Sequence, residues 1–167
     1  DRKNKIAYCS ISERSNKELL LKFCKDFKYI PVSFHSFQDV AKKRLPIYHT
    51  NVMMCLAESY CIICLDCIDD RKERINVINF LENSEKELIE ISENQVGNFA
   101  GNMLELLNEK GESMLVMSKS AENSLNENQK NLINKYSRIV SSDINTIEVC
   151  GGGSARCMMA EIFLPKK

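Results

Sequence analysis

A cysteine near the end of the chain follows three glycines, in residues 150–158 (CGGGSARCM). Consecutive glycines allow positive φ and close backbone approach, so this loop can wrap a ligand or bend sharply. Arg156 precedes Cys157, and a neighbouring cation favours the thiolate, which is the nucleophilic form of cysteine. The pattern predicts an accessible, nucleophilic Cys157. The alternative is a flexible loop followed by a buried cysteine and a strand over 160–164.

A histidine and an asparagine lie two residues apart in Tyr48-His49-Thr50-Asn51. On a strand, His49 and Asn51 would share one face. A histidine held in one orientation by an amide can transfer protons from its free nitrogen. The spacing therefore predicts an acid/base role for His49, against the alternative of an ordinary strand histidine that bonds a neighbour.

Two further segments carry residues that suit ligand binding. Arg14 follows Ser12-Glu13 at a predicted strand-to-helix junction, where its guanidinium could bind a carboxylate through two hydrogen bonds or simply be solvated. Gly101 and Asn102 end the loop over 97–102 (GNFAGN), which leads into a predicted strand. Each signal is weak when taken singly.

Three cysteines, Cys61, Cys64 and Cys67, have a spacing typical of metal and iron–sulfur sites. A strand over 60–68 would direct Cys64 away from the other two. We therefore expect core cysteines and no bound metal, with a redox or metal module as the alternative.

Composition limits the class of protein. The 167 residues carry 23 basic and 23 acidic side chains, which argues against nucleic-acid binding because such proteins usually have a basic excess. No apolar run approaches the ~20 residues that span a bilayer. Eight cysteines in a chain without a secretory segment favour reduced thiols and a cytoplasmic location.

The elements that must position these residues follow a repeating order. A β-α-β segment is followed by two β-β-α-β segments and a final strand or two, a unit of about 50 residues typical of repeated modules. Three helices are predicted from pairs of capping residues that lie three positions apart. The pairs are Ser15 and Glu18, Asp70 and Glu73, and Asn126 and Gln129. The first helix should bury Leu20, Phe23, Cys24 and Phe27. The predicted strands cover 6–11, 29–37, 47–55, 60–68, 88–91, 102–107, 113–118, 139–140 and the stretch from 147 onward.

Four short segments that carry the candidate site residues, taken in order along the chain, resemble the guanidine-modifying superfamily of amidinotransferases and arginine deiminases. They are residues 12–15 (SERS), 48–51 (YHTN), 99–104 (FAGNML) and 151–158 (GGGSARCM). The branch they resemble most contains amidinotransferase-like citrulline-utilisation hydrolases. The resemblance implies an α/β-propeller (pentein) of ββαβ modules, with residues 1–167 as the C-terminal portion of a single domain, about three modules that lack those N-terminal to them.

The resemblance also implies site roles. Cys157 matches the nucleophile and His49 the general acid/base, Arg14 matches the arginine that holds the substrate carboxylate, and Gly101 and Asn102 match a substrate-side loop. Covalent catalysis by the thiolate implies no metal or organic cofactor. The substrate would be arginine, citrulline or a related amino acid, with neither nucleic acid nor membrane as a partner.

Asn51 departs from the deiminase pattern, in which an aspartate pairs with the guanidinium. An amide suits a neutral ureido group better, which favours citrulline over arginine.

The sequence leaves the reaction open between hydrolysis and transfer to an amine. A non-enzymatic binding protein is the alternative to an enzyme, since the same fold serves a ribosome anti-association factor. The family's upstream glutamate has no counterpart here, so these 167 residues alone are expected to be inactive. Their exposed sheet edges predict self-association, as a homo-oligomer or an aggregate.

Overall fold

The computed structural model describes residues 1–162, which form a mixed α+β chain with four small sheets. The α+β class predicted from the sequence is confirmed. The strands are β1 Ile6–Ser10, β2 Ile30–Phe34, β3 Phe37–Val40, β4 Lys43–Pro46, β5 Met54–Leu56, β6 Tyr60–Ile63, β7 Glu87–Glu90, β8 Leu104–Leu107, β9 Ser113–Ser118 and β10 Arg138–Ser142. The helices are α1 Lys17–Phe27, α2 Arg71–Asn83, α3 Glu93–Gly97, α4 Lys119–Ser124, α5 Glu127–Asn134 and α6 Asn145–Gly151.

Strands β1 and β2 pair in parallel around α1, as a β-α-β unit. The helix begins one residue later than predicted, because the Asn16 side chain, not Ser15, accepts the capping hydrogen bond from Leu19 N. Its predicted apolar face is largely wrong: Cys24 is buried, but Phe23 and Phe27 are 44% and 61% exposed. The phenyl rings instead pack on each other, with centroids 4.8 Å apart.

Two three-stranded sheets share one topology. In each, an antiparallel pair (β5–β6 or β8–β9) is followed by a parallel strand (β7 or β10) after a helical crossover. The two units are joined by a pair of side-chain amides, of which Gln129 is buried and Gln95 half-buried. Gln95 donates from Nε2 to Gln129 Oε1 at 2.7 Å, and Gln129 donates from Nε2 to the Glu90 carbonyl at 2.6 Å. The capping box predicted for Asn126 and Gln129 is present.

The core lies between these sheets and their helices. Ile62, Ile63 and Leu115 come from the strands and Val77 and Leu81 from α2, and each is fully buried. Ile75, also predicted to face inward on α2, is 46% exposed. The described residues contain no helix that is both long enough and apolar enough to cross a membrane.

The strand predicted over 29–37 is wrong beyond Phe34, because the chain turns there into the separate hairpin β3–β4. Arg44 anchors this hairpin: its guanidinium lies 2.6 Å from Asp69 Oδ1 and 2.7 Å from both Glu93 carboxylate oxygens. Ala41 and Lys42 turn the hairpin with positive φ.

The predicted strand over 60–68 ends at Ile63, and a 3-10 turn follows at Leu65–Cys67. Cys61, Cys64 and Cys67 are completely buried, as expected for core cysteines. The turn, unlike a strand, lets the Cys64 and Cys67 thiols hydrogen-bond, and this bond together with burial raises the pKa of Cys67. No cluster of three side chains suited to a metal occurs within residues 1–162.

The strand predicted from Ile147 onward is also wrong. This stretch forms α6, followed by a 3-10 turn at Ala155–Met158. The β-branched Ile147 and Val149 favoured a strand, yet they are exposed, and helix formation instead buries Glu148. Of the strand predicted over 160–164, residues 160–162 are not in a strand, and 163–164 lie outside the described residues.

Candidate active site

The loop that carries Cys157 is shaped by two of its three glycines. Gly152 ends α6 with a φ of 67°, and its N–H donates to the Glu148 carbonyl. Gly153 lies against the cysteine, since a Cβ there would be 3.3 Å from Cys157 Cβ and 3.4 Å from Sγ. Cys157 N then donates to the Ser154 carbonyl at 3.0 Å, which fixes the cysteine within the short 3-10 turn.

The buried Glu148 carboxylate anchors the same loop through two hydrogen bonds. Ser154 donates from Oγ to Glu148 Oε1 at 2.6 Å, and Ser120 donates from Oγ to Oε2 at 2.7 Å. Ser154 is fully buried and Glu148 is nearly so. Because Ser120 belongs to α4, Glu148 ties the glycine loop to the unit that contains the sheet β8–β9–β10.

Cys157 contacts the buried side chain of Asn102. Asn102 Nδ2 lies 3.3 Å from Cys157 Sγ and donates to the Asn51 carbonyl at 3.1 Å. The thiol in turn lies 3.5 Å from Asn102 Oδ1. One amide therefore joins the cysteine to the segment that contains His49, and both of its N–H groups are engaged by these two contacts.

Exposure separates Cys157 from the other thiols. Cys150 and Cys157 are exposed, and the remaining six cysteines are buried or half-buried. Burial raises the pKa of Cys55 to about 12, so that thiol stays protonated at neutral pH. Among the residues that the structure describes, Cys157 alone of the two exposed thiols has a hydrogen-bonding side chain beside it.

Gly101 lets the loop of Asn102 approach the histidine segment. A Cβ at this position would overlap the Val52 carbonyl oxygen and lie 2.8 Å from Met53 Cα. The close approach puts Asn102 within reach of Asn51. The two loops are therefore joined by backbone packing as well as by a side-chain contact.

His49 does not lie on a strand, contrary to the prediction. It precedes a 3-10 turn at Thr50–Val52, closed by hydrogen bonds from Val52 N to His49 O (3.1 Å) and from Met53 N to Thr50 O (3.2 Å). Thr50 Oγ1 accepts a hydrogen bond from Ser10 N at 2.9 Å, which holds the turn against β1. His49 and Asn51 are thus brought together by a turn, not by strand alternation.

Tyr48 contacts two of the predicted site residues. Its ring centroid lies 5.0 Å from that of His49, edge to face, and 5.1 Å from Cζ of Arg14. No role is predicted for Tyr48 from the sequence, although it directly precedes His49. Ser154 and Glu148 were also missed, because the strand predicted there hid their contact.

Three groups remain open to a ligand. Within residues 1–162, the Asn51 amide and the His49 imidazole have no hydrogen-bond partner, and the Arg14 guanidinium has no ion pair. These groups can offer, respectively, a neutral donor and acceptor, a proton carrier and a carboxylate-binding cation. Asn102 thus contacts Cys157 and the Asn51 backbone, and Gly101 packs against the same turn. Arg14 and His49 meet through the Tyr48 ring.

A cleft of about 1020 Å³ adjoins this region. Asn51 and Arg156 line it, whereas Cys157, His49 and Arg14 do not. The Arg156 guanidinium donates to the Met159 carbonyl at 3.3 Å and makes no hydrogen bond to the thiol. The positive neighbour predicted for Cys157 therefore faces the cleft.

Solved structures share this fold. An arginine dihydrolase of the ornithine–ammonia cycle in cyanobacteria, ArgZ in its apo form, aligns with 94% of this chain at 16% identity and a TM-score of 0.69. Its N-terminal domain, solved with bound substrate, aligns with 93% at 17% identity and a TM-score of 0.67. AgrE, in complex with ornithine and NAD+, aligns with 100% at 18% identity and a TM-score of 0.66.

The chain spans only part of each of these proteins: 22% of ArgZ and of AgrE, and 51% of the ArgZ N-terminal domain. At these identities the likeness is one of fold. No curated protein matches the chain by sequence.

The model of the eukaryotic N,N-dimethylarginine dimethylhydrolase family matches residues 1–164. That match covers all four of the segments discussed above. The chain therefore belongs to the eukaryotic N,N-dimethylarginine dimethylhydrolase family, within the guanidine-modifying superfamily.

Proposed function

We propose that this protein hydrolyses a C–N bond in the guanidino or ureido group of an arginine-related amino acid through a covalent intermediate on Cys157. The contact between Cys157 Sγ and Asn102 Nδ2, at 3.3 Å, carries this proposal. An amide N–H beside a sulfur stabilises negative charge on it, and the thiolate is the attacking form. Family membership supports the same chemistry.

In the proposed mechanism, the Cys157 thiolate attacks the central carbon of the guanidino or ureido group. His49 gives a proton to the departing amine and then takes one from the water that hydrolyses the thioester-like or thiouronium-type intermediate. Arg14 binds the substrate carboxylate. Asn51, whose amide is open to a ligand, faces the reacting group and favours citrulline.

We also infer that the four sheets belong to a larger α/β-propeller domain, of which residues 1–167 are the C-terminal portion. The repeated β-β-α-β order of the second and third units supports this. So does the alignment to 51% of the ArgZ N-terminal domain.

The test is turnover by the full-length protein and by its Cys157→Ala variant with L-arginine, L-citrulline and N,N-dimethylarginine, followed by mass spectrometry. We expect ornithine from citrulline, or citrulline from an arginine, and an acid-trapped adduct on Cys157 that the variant lacks. Cys150→Ala is the matched control, because it removes the other exposed thiol. Transfer of the group to an added amine, without hydrolysis, would identify a transferase instead. Turnover that survives Cys157→Ala would refute the proposal.

A further inference from the structure

The Tyr48 ring lies between two side chains that belong to separate parts of the candidate site. Arg14 Cζ lies over the ring, 5.1 Å from its centroid. The His49 ring meets it at an interplanar angle of 75°, with centroids 5.0 Å apart. A guanidinium over an aromatic face is attracted by the ring quadrupole, and an edge-to-face pair of rings is a favoured geometry.

The backbone of Tyr48 is fixed on both sides. Ile47 before it is completely buried. The Tyr48 carbonyl accepts a hydrogen bond from Ser12 Oγ at 2.9 Å, and the same hydroxyl accepts from Arg14 N at 3.1 Å. The Ser12 hydroxyl therefore joins the loop that carries Arg14 to the segment that carries His49.

The ring itself has no role in the core. It is 39% exposed, and its hydroxyl makes no hydrogen bond within residues 1–162. Single exposed aromatics are common, but the two ring contacts that the structure gives Tyr48 are both with proposed site residues. Packing of the fold does not account for such a placement.

We propose that Tyr48 is a positioning residue that fixes the distance between the carboxylate-binding Arg14 and the proton-transferring His49. The inference rests on the proposed function and deepens it. A long, flexible arginine loses less freedom on binding a carboxylate when a ring already holds its guanidinium. Tyr48 thus makes recognition of the amino-acid carboxylate and proton transfer at the far end of the substrate depend on one ring. The substrate class that follows is a free α-amino acid, not its decarboxylated amine.

Binding is measured first, in the full-length Cys157→Ala protein, by calorimetry with L-citrulline and L-arginine and with their decarboxylated analogues, N-carbamoylputrescine and agmatine. Adding Tyr48→Leu should weaken binding of the amino acids about threefold to fivefold, the range of an exposed cation–π contact. The decarboxylated analogues should bind equally well to both proteins. Tyr48→Phe, which keeps the ring, should restore the preference for the carboxylate.

Turnover is measured second, with Cys157 in place. Tyr48→Leu should lower kcat about tenfold as His49 loses its orientation, and Tyr48→Phe should not. The matched control is Tyr136→Leu, because Tyr136 is 40% exposed and stacks on Tyr60 away from the site. Tyr136→Leu should change neither the preference for the carboxylate nor kcat.

The two proposals fail in different ways. An unchanged carboxylate preference and kcat in Tyr48→Leu, beside Cys157-dependent turnover, would overturn the role of Tyr48 and leave the proposed function intact. Tyr48-dependent binding of the amino acids without any Cys157-dependent turnover would refute the proposed function and the proton-transfer part of the inference with it, and would leave Tyr48 a role in binding the carboxylate. Loss of binding to analogues with and without the carboxylate alike would mean that the ring serves only to fold the site, and would also overturn the inference.

Discussion

Asn102 Nδ2 lies 3.3 Å from Cys157 Sγ and 3.1 Å from the Asn51 carbonyl oxygen. The residue is only 3% exposed, so this amide is shielded from water and oriented by its neighbours. One buried amide therefore contacts both the Cys157 sulfur and the backbone of the turn that follows His49.

Replacing Asn102 with Leu should keep the volume of the side chain and remove its hydrogen bonds. We expect the rate of Cys157 alkylation by iodoacetamide at neutral pH to fall about tenfold, because the thiolate loses a donor. Turnover should fall about a hundredfold, as for removal of one preorganised donor at a charged centre. Mass spectrometry of modified peptides gives the rate, and Cys150 in the same sample is the internal control. Equal alkylation of Cys157 in both proteins would exclude a role for the amide.

Gly101 is expected to tolerate no side chain. In Gly101→Ala the new methyl group would overlap the Val52 carbonyl and press on Met53 Cα, 2.8 Å away. Separating the two loops should lower the free energy of unfolding by about 1–3 kcal/mol and reduce turnover. Urea denaturation measures the first quantity.

Gly97→Ala is the control in the same region. A Cβ at Gly97 meets nothing within 4 Å, and the residue does not have a positive φ, so alanine is accepted there without strain. This variant should be as stable as the parent or slightly more so. Equal behaviour of the two alanine variants would contradict the close packing at Gly101.

Ser154→Ala should loosen the glycine loop that carries Cys157. It leaves Glu148 Oε1 without its 2.6 Å donor in a buried position, at an expected cost of about 1–3 kcal/mol in unfolding free energy. Both turnover and Cys157 alkylation should decrease. Ser120→Ala removes the other donor to the same carboxylate and should reduce stability while changing Cys157 alkylation much less. A larger loss of Cys157 alkylation in Ser120→Ala than in Ser154→Ala would show that the contact with α4 orders the loop more strongly.

Local signals in the sequence predicted the elements that depend on local interactions. The pair Asn126 and Gln129 predicted the start of α5, and the apolar run after the turn at Lys110-Gly111 predicted β9 with the bounds that the structure has. Elements decided by distant contacts were missed. Helix α6 depends on Glu148 reaching Ser120, and the β3–β4 hairpin on Arg44 reaching Asp69 and Glu93.

The candidate site likewise depends on contacts between residues that are far apart in the sequence. No local pattern relates Asn102 to Cys157, which are 55 residues apart, and the resemblance of the four segments to one superfamily selected them together. The strand assumed for His49 was wrong because Thr50 bonds β1 and closes a turn. Tyr48 was overlooked because its contact with Arg14 exists only after folding.

Stability should decline in acid in part through Asp69. The hydrogen bond from the Arg44 guanidinium lowers the pKa of Asp69 below its usual 3.8. Since the folded-state pKa is the lower one, this stabilisation is present above pH 3.8 and is lost as the pH falls through the folded-state value. The Asp69 side chain is 44% exposed, so solvent screening keeps the effect small.

Asp69→Asn should therefore reduce the urea midpoint slightly at neutral pH and flatten its decline in acid. Asp26→Asn is the control, because Asp26 is exposed and has no ion pair within residues 1–162. A parallel decline of Asp69→Asn and the parent protein would show that the Arg44 contact adds nothing.

The side chain of Asn51 should set the preference between neutral and cationic substrates. It lines the cleft, and its amide can donate to a ureido oxygen and accept from a ureido N–H. In Asn51→Asp a carboxylate would instead attract a guanidinium. We expect the ratio of kcat/KM for citrulline to that for arginine to fall about tenfold or more, since an ion pair replaces a neutral hydrogen bond. Asn51→Ser, which is neutral, should lower both values without reversing the preference. An unchanged ratio in Asn51→Asp would sink the argument for citrulline.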